Sequence, residues 1–492
     1  MTQNKNTNIN KKRLFLGSNF ALISTSVTFA IIGAIMGPLK EIFVLTNAEV
    51  GWIGGAALWG FSITIFIFGP LCDVLGMKLL LRLAFLGHLA GVLIMIFANG
   101  FTFLFIGALV LAMANGLVEA AANPLVATLF PENKTEMLNK FHVWFPGGIV
   151  IGGLISFGLD SIHITSYQIK LLVILIPTFI YGFLFLGQLF PATERVQSGL
   201  SGADMIKATL LRPLFWVLVL AMMMTASVEL GPNRWIPAVL EAAGIPGILV
   251  LVWINLLMAI MRYKAGAVVH KLSPTGILMV SAIISGIGLY WLSYTETLTM
   301  AIMAGTVFAL GVSYFWPTML GVTSERIPKG GAMALALVGG VGTIIVGLVT
   351  SPLMGSVADN YLHEKLQPQE TKIVLEQIIQ TFPEIRDSKG EKTAKDFNDA
   401  INASKKILES YSKTGELPKY STANALRSAI AVAPGSDAAT KAKQLLGPAE
   451  NYGGKISFRR VAPLSIILTI IFGIMYFRDR KAGGYKAEVI SK

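Results

Sequence analysis

The side chains best suited to chemistry lie where charge is least expected. Between Arg82 and Glu132 the chain runs 49 positions with one formally charged side chain, Glu119, within "NGLVEAAANPLVATLFPENK". Asn115, Glu119 and Asn123 are spaced by four and stack along one helix face, with Pro124 loosening the backbone just beyond. A charge at mid-bilayer depth costs at least about 2.5 kcal/mol, so something must offset it. A water-filled cavity would do so, leaving the acid free to be solvated, to bind a polar ligand or to carry a proton. A fixed partner, His88 or Arg262, is the alternative.

A second stretch, "SVELGPNRWIPAVLE", repeats the theme: Glu229 and Asn233 share a face at i and i+4, and Gly231 and Pro232 interrupt the helix between them. Arg234 has two readings, neutralising Glu229 or meeting a ligand directly. The amides of Asn115, Asn123, Asn233 and Asn255 offer donors and acceptors for hydroxyl groups. His142 is a further polar candidate, and Trp144, Trp235 and Trp316 are candidate stacking surfaces, although a tryptophan near a span end also serves as an interfacial anchor. Metal-ligand spacing, a nucleophile elbow and a phosphate-binding glycine loop are all missing from the sequence. The expectation is therefore a non-enzyme with no metal and no cofactor beyond a coupling ion, a proton first and sodium second.

The elements that must hold these residues are membrane spans. With 492 residues, a mean hydropathy of +0.65, 54% apolar and 14% charged residues, the chain has too little polar surface for a dispersed soluble fold. The net charge of +12 does not imply nucleic acid, because the basic residues sit in short segments between apolar runs and in one late insert. The lone cysteine, Cys72, allows no intrachain disulfide. The basic head and apolar run at the N-terminus resemble a signal peptide, but the run continues past Ile35 without a small-residue cleavage site, which predicts a retained first helix.

Apolar runs of span length begin near residues 14, 51, 79, 101, 141 and 168, and again near 213, 246, 275, 299, 331 and 461. The expected fold is an all-α integral membrane protein: twelve helices in two pseudo-symmetric six-helix bundles, with a helical extramembrane insert before the last helix. The expected units are a first bundle over 1–190, a connector over 191–212, five helices over 213–359, an insert over 360–460 and a last helix with its tail over 461–492. With both termini in the cytoplasm, the inner segments hold 21 Lys and Arg residues and the short outer loops only Lys40 and Lys170. The insert, with 16 basic residues, then lies outside, as long loops cross regardless of charge. Its apolar positions Phe397, Ile401, Leu408 and Tyr411 predict a helix over 393–414, with shorter helices over 371–382, 421–433 and 437–446. It reads as a solvated decoration whose removal, over 362–455, leaves transport intact.

After the second span, Gly69, Asp73, Gly76, Lys78 and Arg82 stand at the spacing G-x3-D-x2-G-x-K-x3-R. This resembles the loop signature of the major facilitator superfamily, and "RYKAGAVVHKLSP", with Arg262, Gly266 and His270, resembles a decayed second copy. Basic residues that merely fix topology would explain Lys78 and Arg82 but not the glycines with Asp73, so the cluster, with Arg262, reads as a cytoplasmic gate between bundles.

"VEAAANPLVATLFPENK", "LNKFHVWFPGG", "RWIPAVLE", "YFWPTMLGV" and "VTSPLMGSVAD" resemble the fucose, galactose and gluconate branch, the fucose-permease-like proton:sugar symporters. The resemblance implies alternating-access uptake of a small polyhydroxylated solute, with Glu119 in substrate recognition and proton-linked transport. It also implies a monomer in the cytoplasmic (inner) membrane of a bacterium. The branch carries a proton-binding aspartate in its first span, and here "FAIIGAIMGPLKE" offers only Gly33 and Ala34; Glu229 is the candidate substitute. Export of drugs or metabolites by the same fold, and a membrane sensor using the insert, are the competing functions.

Overall fold

The computed structural model describes residues 9–489 apart from 44, 46 and 390. The first half comprises α1 (Lys11–Ile42), α2 (Asn47–Leu75), α3 (Met77–Ile96), α4 (Phe101–Leu129), α5 (Lys134–Phe141), α6 (Trp144–Ser161) and α7 (Tyr167–Phe185). Two short connector helices follow, α8 (Glu194–Gln197) and α9 (Gly202–Leu210). The second half comprises α10 (Pro213–Glu241), α11 (Gly247–Tyr263), α12 (Ala265–Leu292), α13 (Leu298–Val312), α14 (Phe315–Arg326), α15 (Gly331–Ile345) and α16 (Ser351–Leu362). The insert carries α17 (Pro368–Lys389), α18 (Glu391–Thr414) and α19 (Lys419–Val432), and the chain returns through α20 (Asp437–Val461) and α21 (Leu464–Lys481). Among the described residues, eleven helical stretches are long and apolar enough to cross a bilayer, and α11, at 17 residues, supplies a twelfth, shorter apolar helix.

Local chemistry sets several ends. Ser166, Thr297 and Ser436 accept from the backbone N–H three residues on and cap α7, α13 and α20. Gly76, at φ 81°, makes the sharp turn between α2 and α3 that a side chain would strain. A π-helical segment, Val346–Thr350, joins α15 to α16 within the eleventh pass. Ser273, at φ 61°, kinks α12, so the eighth pass ends at Tyr263 and the link to the ninth is helical rather than part of the eighth span.

In the first bundle α4 packs on α2 and α3, and α1 on α6 and α7; in the second, α12 packs on α13 and α21, and α10 on α15. The halves meet where α2 lies on α15, α6 on α11 and α5 on α14.

The insert differs from the expected boundaries. Leu375, Ile378, Phe382, Phe397, Ala400 and Leu426 close a core of their own beneath α17, α18 and α19. However, α20 is no free-standing insert helix: it runs on into the last pass. Asn451 Nδ2 donates to the Val239 carbonyl at 2.7 Å, and Gly453 and Gly454 bring α20 against Ala358 of α16 and Val239 of α10. Polar residues such as Glu450, Asn451 and Lys455 hide this packing from a hydropathy reading, while the glycines permit it. The part standing clear of the bundle is roughly 366–446, not 360–460.

Candidate functional site

The bundles are joined on the face that carries both chain ends. Asp73 accepts from Thr193 Oγ1 at 2.5 Å and from Arg195 Nε at 2.6 Å, Lys134 pairs with Glu194 at 2.5 Å, and Lys78 donates to the Gln188 carbonyl at 2.7 Å. Across the interface, Glu325 of α14 accepts from the Thr135 N–H at 2.9 Å, in the first turn of α5. Asn139 donates to Thr318 at 3.1 Å. His270 stands 3.4 Å from Glu136. Gly69 receives the Ala336 side chain, Gly340 faces Phe66, and Ser62 donates to Thr343 at 2.8 Å. These contacts follow α2 and α15 from the terminal face to mid-depth. Beyond them α16 packs on α20 and α19 of its own half, and Gly33, Gly37, Gly51 and Gly54 border open space. Among the described residues, the hydrogen bonds and ion pairs between the halves lie from the terminal face to mid-depth.

Near mid-depth a polar seam crosses from one bundle to the other. Asn123 Nδ2 donates to Glu119 Oε2 at 2.5 Å, and its Oδ1 accepts from His142 Nε2 at 3.0 Å, which assigns the ring proton to Nε2. Arg262 of α11 then spans the gap. Its Nη1 donates to the His142 carbonyl at 3.1 Å, its Nε to the Ser313 carbonyl at 2.6 Å and its Nη2 to Glu229 Oε1 at 2.8 Å. Glu119, Asn123, His142, Glu229 and Arg262 are all buried. A buried guanidinium with three such acceptors is well held, because breaking a buried pair leaves a charge uncompensated. Two acceptors on adjacent turns of α10, Glu229 Oε2 and Asn233 Oδ1, accept no hydrogen bond among the described residues.

Several expectations change. Arg262 is not with Asp73 in the terminal-face cluster. Its buried charge needs an acid within reach, and that acid is Glu229, whereas Asp73 takes Arg195 from the connector. Arg234 does not neutralise Glu229; it is exposed and forms no ion pair among the described residues. Asn115 turns away from Glu119 and accepts from His88 Nε2 at 2.7 Å, while His88 Nδ1 meets Tyr181 at 2.8 Å inside the first bundle. His88 is therefore a partner of Asn115, not of Glu119.

Among the remaining candidates, Asn255 donates to the Leu251 carbonyl of its own helix at 2.9 Å. The ring of Trp316 lies beside Gly339 and Gly342, and that of the half-buried Trp235 beside Gly355. Trp144 is half-buried, and its carbonyl accepts from Ser26 at 3.0 Å. Gly69, Asp73, Gly76 and Lys78 share the terminal-face cluster; Arg82 is exposed.

Arg195, Glu194 and Glu325 went unnoticed in the sequence. Their partners lie 122, 60 and 190 positions away. The charges of "PATERVQ" beside a span end hinted at the first two, and nothing in the sequence pointed to Glu325.

The C-terminal tail also belongs to this face. Tyr485 donates to Glu325 Oε2 at 2.7 Å, the Glu488 N–H donates to the Glu325 carbonyl at 2.7 Å, and the Glu488 carboxylate receives both terminal nitrogens of Arg212. Arg326 lies 4.3 Å above the Tyr485 ring. Burial, then the Glu325 carboxylate, push the Tyr485 phenol well above its usual range, so it stays a donor.

Residues 15–361 match the family profile described as Major Facilitator Superfamily. The curated proteins yield no match. Among solved structures, the chain is similar to the E. coli fucose:proton symporter at 18% identity, with TM-score 0.58, over 71% of this chain and 92% of that one. It is similar to a bacterial homolog of the human lysosomal transporter Spinster at 13% identity, with TM-score 0.61, over 99% and 100%. A third similar structure is the human organic anion transporter MFSD10, at 14% identity and TM-score 0.59, over 71% and 94%. At such identities the likeness is one of fold.

Proposed function

Since the chain belongs to the Major Facilitator Superfamily, with the profile covering residues 15–361, we propose that it is a secondary active transporter taking up a small polyhydroxylated solute, a sugar or relative, together with protons. The branch-like motifs around Glu119 and Arg234 favour the fucose-permease-like group within that family. The inner segments are rich in Lys and Arg and the short outer loops hold only Lys40 and Lys170, which orients the terminal face to the cytosol and the opposite side of the interface outward.

The observation that carries the reading is the Arg262 bridge. One guanidinium ties an acid of the second bundle, Glu229, to the backbone of the first at His142. Glu229 Oε2 and Asn233 Oδ1 receive donors from the solute or a proton. A proton on Glu229 weakens its hold on Arg262, and the guanidinium then loses its anchor across the interface. Binding and bundle movement are coupled in this way, as alternating access requires. Glu119 acts through Asn123 and His142 on the same bridge.

The test is uptake into proteoliposomes under an imposed pH gradient. Wild-type protein should accumulate solute and Glu229→Gln should catalyse exchange without accumulation. Full accumulation by Glu229→Gln would remove the acid from the coupling step, and a sodium gradient replacing the proton gradient without loss would change the ion.

A further inference from the structure

The connector between the bundles carries an apolar surface with no protein against it. Helix α9, "GADMIKATL", buries Met205 and Thr209 and packs on the tight turn Pro328–Gly330, where the Thr209 hydroxyl stands in the space that a side chain on Gly330 would need. At about 100° per residue, Ala203, Ile206 and Leu210 form the neighbouring strip, with Lys207 along its edge and Asp204 beyond. That strip is uncovered: Ile206 is 47% exposed, Leu210 36%, and Leu211, just after the helix, 77%. Apolar residues clustered on one side of an amphipathic helix call for an apolar phase or a partner.

The start of α10 identifies which. Trp216, Val217 and Leu220 lie on one side of the first turns of the Pro213–Glu241 span and are exposed there, so hydrocarbon covers them. The Trp216 indole donates to the Leu210 carbonyl at 2.8 Å, which fastens the end of α9 to this lipid-facing side at the depth where tryptophans anchor. The apolar strip of α9 therefore continues the lipid-facing belt of α10 toward the headgroups. The charges fit the same surroundings. Lys207 and Lys329, the latter beside Gly330, are exposed and form no ion pair among the described residues, whereas Arg212 is held by Glu488. A lysine stem lies along apolar surface while its ammonium reaches a polar layer.

We infer that α9 is a membrane-surface helix: its apolar strip beds in the headgroup layer on the side of the chain ends, and Lys207, with Lys329, binds the phosphate of an anionic phospholipid. Apolar burial and attraction to anionic lipid add in such helices. The contact bears on the join between bundles through adjacent residues, because Thr209 packs on Gly330 and the next residue, Gly331, faces Asp73 and Arg195. It is independent of which solute is carried.

The experiment places an environment-sensitive fluorophore on a cysteine introduced at Leu211, in the full chain with Cys72→Ser, reconstituted in nanodiscs. Quenching by spin-labelled phosphatidylglycerol is compared with quenching by spin-labelled phosphatidylcholine at the same mole fraction. Both lipids should quench, and phosphatidylglycerol several-fold more strongly. Lys207→Gln and Lys329→Gln should each lower that preference by up to about fivefold, the weight of one lysine near an anionic surface. Ile206→Asp should weaken quenching by both lipids while the protein stays monodisperse on size exclusion. Quenching by aqueous iodide, with neither lipid effective, would put α9 in water and overturn the membrane surface. Equal quenching by the two lipids, or a preference unmoved by both lysine variants, overturns the headgroup contact. A preference abolished by inorganic phosphate would assign the lysines to a soluble anion and overturn it as well.

Discussion

Glu229 gives one oxygen to Arg262, and its other oxygen makes no hydrogen bond within the distance limit among the described residues, an asymmetry that fits the proton-carrying role proposed for it. The consequences of deleting each partner differ. Arg262→Ala should leave Glu229 buried and uncompensated, at a cost of about 3–5 kcal/mol. Thermal unfolding in detergent should show a large fall in midpoint, and Arg262→Ala combined with Glu229→Gln should recover much of it, because the stranded charge is then gone. A double variant no better than the single one would mean that Arg262 acts mainly through the Ser313 and His142 carbonyls. Glu119→Gln keeps an oxygen for Asn123 and should fold normally. If Glu119 shares the proton, its accumulation ratio in vesicles should drop while exchange continues.

Helix α20 settles what the insert is. Its upper part belongs with α17, α18 and α19, and its lower part is wedged against α10 and α16 by Gly453 and Gly454. Replacing 366–446 with a short flexible linker should therefore preserve uptake, since Leu362 and Gly447 remain in place on adjacent antiparallel helices. Extending the deletion to 455 removes Asn451 and both glycines and should abolish folded protein, as judged by monodispersity on size exclusion. Equal behaviour of the two deletions would show that the α20 packing is dispensable. Gly454→Val tests the same contact without a deletion. Its side chain would meet Val239, and a clash of this kind typically costs about 1–3 kcal/mol.

For the whole molecule, the terminal-face contacts hold the two bundles together on the side of the chain ends. Glu325 is shared: one oxygen caps α5 of the opposite bundle, and the other is held by Tyr485 of the tail. The carboxylate can cap α5 only while the bundles are together on this side, so the tail stabilises the closed arrangement by positioning it. Truncation after Gly484 should shift the population toward opening on that face. Labelling of a cysteine introduced at Thr318 with a membrane-impermeant maleimide, applied to inverted vesicles in a background where Cys72 is replaced, should then become faster. Unchanged labelling would confine the tail to the second bundle, with no influence on opening. Cys72 is itself buried, so its replacement should be small, by serine or alanine.

The sequence by itself determined the twelve passes, the two-bundle architecture, the two buried acids and the Gly69–Arg82 motif, because these depend on spacing along the chain and on the cost of charge in hydrocarbon. Three of the four predicted insert helices appeared near their expected bounds for the same reason: period and caps are local. Which charges pair was decided by the tertiary structure. Arg262 chose Glu229 over the terminal-face cluster, Asp73 took Arg195, Asn115 turned to His88, and Arg234 forms no ion pair among the described residues. A buried charge binds whatever counter-group packing brings within about 4 Å, and that distance, between residues up to hundreds of positions apart, is fixed only when the helices have packed.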